Sequence, residues 1–164
     1  RSLYVENDIR FTEGLNMGED MMVMMKLFIC AGKVGIVHRP FYHYRQSNPE
    51  SLTKIYSQEH IIQVANNVYE VEKYVNASAY ADSLIEFIPF LKLNIKLPLL
   101  ITDDKSHYEQ WLECFPEANC YVMNNKLLPL RTRIIQWMAV KRYFILLRLY
   151  YRTVFKLVYG IIYK

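Results

Sequence analysis

The chain has 164 residues, a formal net charge of +4, 52% apolar and 22% charged residues, and only 5 Gly and 6 Pro. That is enough for one domain with its own core, and too apolar for a disordered polymer. Three cysteines, Cys30, Cys114 and Cys120, form no C-x-x-C pair, which argues against a disulfide framework or a zinc site and fits a reducing compartment.

In chain order, residues 3–14 are mixed and turn-rich, and Asn16 stands where it can cap a following helix. The pattern predicts a helix beginning near Gly18. Glu19 and Asp20 fall in its first turn, where the helix dipole favours carboxylates, residues 21–31 are apolar nearly all round, and Gly32 stops it. Two short strands are expected next, at residues 34–37 and from Phe41, with Arg39-Pro40 between them. Residues 46–53 form a polar loop rich in turn residues.

From Ser57 the pattern turns helical, with Ile61, Ala65, Val68 and Val75 on one apolar face beside Val64, Val71 and Tyr74. A second, more apolar helix is predicted over residues 77–97, up to Pro98. Thr102 and the acids after it mark the start of a short helix through Trp111, which ends before Pro116. Residues 119–129 read as a connector, and from Arg131 onward only Gly160 interrupts one long helix.

Two adjacent acids after a glycine at a helix start can present one carboxylate to a cleft, although the dipole alone also explains acids there. Around them stands an ordered set: Phe11-Thr-Glu-Gly-Leu-Asn-Met-Gly-Glu-Asp, then Pro40-Phe-Tyr-His-Tyr-Arg, then Asn48-Pro-Glu-Ser-Leu-Thr. This set resembles the end of the catalytic domain of bacterial family 2 glycosyltransferases, and the resemblance covers residues 1–54. It implies a GT-A fold and inverting transfer of a sugar from a nucleotide-diphosphate donor to an acceptor hydroxyl. An attacking alcohol must lose its proton, and a carboxylate within hydrogen-bond reach is the natural general base. Position in the motif gives that role to Asp20, with Glu19 beside it holding the acceptor or the loop and Gly18 part of the substrate-binding turn. The leaving diphosphate needs neutralisation, for which the resemblance implies, in the complete enzyme, a divalent metal, Mg or Mn, and basic side chains. His43 is a candidate for the metal or the diphosphate, or is an ordinary histidine of an aromatic strand. Arg45 could grip phosphate bidentately or pair with Glu19 or Asp20. The family's Asp-x-Asp donor motif occurs nowhere in these residues, so the expectation is a partial chain without the donor-binding half, inactive alone.

The tail concentrates the basic charge. Eight of the twenty basic residues and none of the sixteen acids fall in residues 131–164. On one continuous helix Lys141, Arg142, Arg148, Arg152 and Lys156 would share about one third of the circumference, with Tyr143, Phe144, Leu146, Leu147, Tyr150 and Phe155 over much of the rest. That pattern predicts a peripheral contact with an anionic membrane rather than a span, or a basic side packed on other protein, and no nucleic-acid reader motif accompanies it.

The expected architecture is therefore an α/β fragment, mostly helical: the end of a GT-A domain over 1–54, a helical extension over 55–130 and a basic amphipathic helix over 131–164. The expected function is sugar transfer in surface polysaccharide or lipopolysaccharide synthesis, at the inner face of the cytoplasmic membrane. The alternative is a noncatalytic helical module that binds a membrane or a partner.

Overall fold

The computed structural model describes residues 1–43 and 58–159. Arg45, the polar loop at 46–53, the side chain of Lys156 and Gly160 lie outside the described residues. The chain is mostly helical and divides into two compact units, Arg1–Leu84 and Ile85–Lys164, a division that falls inside the expected helical extension.

In the first unit α1 (Ser2–Glu6) is a single short helix closed by a left-handed residue, Asp8, at φ 46°. The Ile9 amide returns to the Tyr4 carbonyl at 2.9 Å, and Ile9 is buried. α2 (Glu19–Cys30) and α3 (Gln58–Asn76) pack on each other and make this unit's main core. α2 contributes Met22 and Val23, and α3 contributes Val68, Val71 and Val75, the i, i+3, i+7 face that the periodicity predicts. Cys30 Sγ lies 2.8 Å from the Tyr74 hydroxyl at the far end of the pair.

No strand forms among the described residues, so the α/β expectation is corrected there to helix with extended chain. Residues 34–37 and 41–43 are irregular, and Val34, Ile36, Val37, Phe41 and Tyr42 are all exposed. β-branched and aromatic residues suit a strand, but a strand exists only where a neighbour completes its ladder, and none of the described segments does so.

In the second unit α4 (Phe87–Ile95) leads into a 3-10 turn, Leu97–Leu100, and α5 (Lys105–Glu113) into another, Pro116–Tyr121. The single helix expected over 77–97 is thus cut short at its front, where turns and the 3-10 segment Asp82–Leu84 precede α4. Pro89 is tolerated because it sits in the first turn of α4, where its missing N–H is no loss. Asp104 caps α5, its Oδ1 accepting from the Ser106 amide at 2.9 Å. Thr102 sits two residues earlier, its hydroxyl accepting from the Asp104 amide at 3.1 Å.

Lys96 is fully buried and ties this unit together. Its ammonium donates to the carbonyls of Trp111 (3.1 Å), Cys114 (2.7 Å) and Phe115 (3.3 Å) and to Asn119 Oδ1 (2.5 Å), and it lies 4.1 Å from the centroid of the Trp111 ring. These carbonyls belong to the end of α5, which leaves its last acceptors unpaired, so a cation there both satisfies and neutralises them.

The long C-terminal helix expected from Arg131 is broken. α6 (Leu130–Val140) ends at Lys141, α7 (Phe144–Tyr150) follows, and a π-helical stretch, Tyr151–Tyr159, continues it. The break is a Schellman motif. The Arg142 amide donates to the Ala139 carbonyl and the Tyr143 amide to the Met138 carbonyl, each at 2.9 Å, while Trp137 and Tyr143 meet edge to face with centroids 5.7 Å apart. Arg142 itself sits at φ 57°, a position that usually takes Gly. Lys141 and Arg142 therefore precede α7, and the single basic stripe drawn on a continuous helix is not the geometry of this tail.

Candidate functional site

The acids singled out in the sequence stand at the start of α2, and the loop before them is built by two glycines. The Leu15 amide closes a turn onto the Thr12 carbonyl at 3.3 Å, with Gly14 at φ 78° in its third position. Gly18, also at φ 78°, is the N-cap residue of α2 and offers its carbonyl to the Met22 amide at 3.0 Å. A Cβ on Gly18 would meet Val64 of α3 at 3.6 Å, an ordinary contact, so the backbone conformation and not space calls for glycine.

α3 holds this loop by two side chains. Gln63 Oε1 accepts from the Asn16 amide at 2.9 Å, and Asn67 Nδ2 donates to the Met17 carbonyl at 2.8 Å. Asn67 is fully buried on the helix face that carries Val64, Val68 and Val71, and its Oδ1 has no hydrogen-bond partner among the described residues. The Asn16-Met17-Gly18 segment is thereby fixed to a helix more than forty residues later in the chain, with |i−j| of 47 and 50 for the two bonds.

Asp20 is exposed, and its Oδ1 accepts from the Met21 amide at 2.7 Å, one of the free donors at a helix start. Its other carboxylate oxygen has no hydrogen-bond partner among the described residues. Glu19 is half-buried beside it. His43 is exposed, and no hydrogen bond or ion pair joins it to Glu19 or Asp20 among the described residues. Arg45 lies outside the described residues; among the described ones the structure brings together Gly18, Glu19 and Asp20 with the α3 residues behind them, and His43 is not bonded to them.

No group of three or more His, Cys, Asp or Glu suited to a metal ion occurs among the described residues. The divalent metal that the resemblance implies belongs to the complete enzyme, and His43 by itself does not make a metal cage, so no step below passes through one. The sequence reading missed Gln63 and Asn67. The available signal was Asn67, a polar side chain set into the apolar face of α3, where a buried amide must be holding something.

No protein-family model, curated protein or solved structure matches this chain.

Proposed function

We propose that the chain is the acceptor-side end of an inverting family 2 glycosyltransferase of the GT-A type, with Asp20 as general base. The ordered set of residues 11–20, 40–45 and 48–53 carries this reading. The placement of Asp20 supports it. One carboxylate oxygen is occupied by the Met21 amide, which fixes the group's orientation, and the other, unpartnered among the described residues, can meet an approaching hydroxyl. As the acceptor oxygen bonds to the anomeric carbon, its proton passes to that open oxygen and the nucleoside diphosphate departs with the electron pair of the broken bond. Glu19 lies in the same turn, and Gly18 supplies the left-handed backbone that starts it.

In the complete protein, Asp20→Asn is expected to lower the rate of sugar transfer by about 100-fold or more, the range for loss of a general base, while donor binding persists. Transfer at the wild-type rate by Asp20→Asn would remove Asp20 from the base role.

A second reading concerns the tail, where Ile145, Leu146 and Leu149 of α7 are exposed close in sequence to Lys141, Arg142 and Arg148. Exposed apolar residues mixed with cations are the surface by which a peripheral helix sits on an anionic membrane. No helix of the described residues is long and apolar enough to cross one.

A further inference from the structure

A cavity of about 250 Å³ opens in the second unit at the break between α6 and α7. Lys105, Arg142 and Arg148 line it, facing one acid, Asp103, and its apolar wall is made by Tyr108 and Phe144, whose ring centroids are 5.5 Å apart, with Ile145. The acid is already engaged. Asp103 Oδ2 accepts from Arg152 Nε at 3.4 Å, and the Asp103 carbonyl accepts from Arg148 Nε at 3.1 Å. That second bond orients the Arg148 guanidinium through its inner nitrogen, and the two terminal nitrogens make no hydrogen bond among the described residues. The Tyr108 hydroxyl donates to the Thr102 carbonyl, which fixes the ring as wall.

Arg142 is the informative member. It holds the left-handed position of the Schellman motif, where glycine would carry no steric penalty, and it is one of the residues that line the cavity. A left-handed non-glycine residue at a cavity rim is strain placed where a side chain is wanted. We propose that this cavity binds a phosphomonoester carried on an apolar or aromatic group, the phosphoryl oxygens between Arg142 and Arg148 and the apolar part against Tyr108 and Phe144. Lys105 is paired with Glu109 at 3.3 Å and the charge of Arg148 reaches Asp104 as well, so the binding falls to the forked guanidinium donors of Arg142 and Arg148, which match phosphoryl oxygens. The same chemistry is offered by a soluble aryl phosphate and by a phosphatidic acid headgroup.

The test is calorimetric titration of the full chain with phenyl phosphate and with inorganic phosphate, repeated on Arg142→Gly and Arg148→Gln. Arg142→Gly suits the backbone at this position, and an unchanged far-ultraviolet helical signal confirms that it is folded. The expected result is saturable one-to-one binding of phenyl phosphate, at least tenfold tighter than inorganic phosphate and at least tenfold weakened in Arg142→Gly. Sedimentation with vesicles containing phosphatidic acid, competed by phenyl phosphate, then identifies the source. Competition points to the lipid headgroup, and binding of phenyl phosphate without vesicle binding points to a soluble ligand. No saturable binding of phenyl phosphate, or equal binding by wild type and a folded Arg142→Gly, overturns the proposal.

Discussion

Lys96 shows how far a single side chain can depart from its usual place. Burial pushes its ammonium from the ordinary 10.5 down to about 8, while the nearby Cys114 and Glu117 pull it back upward. Between those two values the unfolded chain holds a proton that the folded chain has released, so the Lys96 contribution to stability rises with pH from about 8 to 10.5. Urea midpoints of wild type and Lys96→Met, compared across that window, are expected to shift in favour of wild type by up to about 3 kcal/mol. A constant difference would mean that its four acceptors hold the proton throughout. Nothing in the sequence singles Lys96 out, because a lysine near the end of an apolar helix ordinarily extends to water with only its stem covered. Gly18 is the opposite case, since a glycine just before two acids and an apolar run signals a helix start directly, and the structure places α2 there.

At the scale of elements, the pair α2 and α3 was the most legible part of the fold. Local signals bound α2, with Gly18 before it and Gly32 after it, and the period of Val68, Val71 and Val75 gives the buried face of α3. The Asn67 bond that pins the loop was hidden because it joins residues 50 positions apart. Asn67→Ala is expected to destabilise the chain by about 1 to 3 kcal/mol in urea unfolding, since it leaves the Met17 carbonyl without its donor. Amide exchange at residues 16–22 should quicken with it, and protection unchanged at these amides would show that α3 does not hold the loop. The strands and the C-terminal helix were misread for different reasons. A strand depends on a non-local partner that no local pattern reveals, and the break at Lys141 is hidden because Arg142 stands where glycine would have marked it.

Uncovered apolar surface occurs in both units. Extended apolar residues from Val34 to Tyr42 belong to the first unit, and the basic tail with Ile145 and Leu149 belongs to the second. Removing everything after Pro129 would not test the tail alone, because Ile135, Gln136, Ala139 and Leu147 are buried. Point changes on exposed positions do. With vesicles of phosphatidylglycerol at low salt, the chain is expected to sediment, to be released at about 0.5 M salt as charges are screened, and to lose sedimentation in the double variant Ile145→Asp, Leu149→Asp. Equal sedimentation by this folded variant would rule out α7 as the contact. The composition made the basic tail plain, whereas its division between two helices and its bonds to Asp103 depend on tertiary structure that composition does not carry.

The contact between Cys30 and Tyr74 also gives the molecule an optical reporter. The hydrogen bond with Cys30, then burial, then the charge of a Cys30 thiolate, raise the Tyr74 phenol from the ordinary 10.0 to about 12. The unfolded chain ionises this phenol first, so its contribution is whole below pH 10 and is lost as pH climbs toward 12. In an alkaline titration followed by tyrosinate absorbance at about 295 nm, Tyr74→Phe should delete amplitude from the latest part of the curve, while Cys30→Ala should move that amplitude to lower pH. The colour change of one ring would then report, in solution and without any bound ligand, whether the far ends of α2 and α3 are still closed on each other.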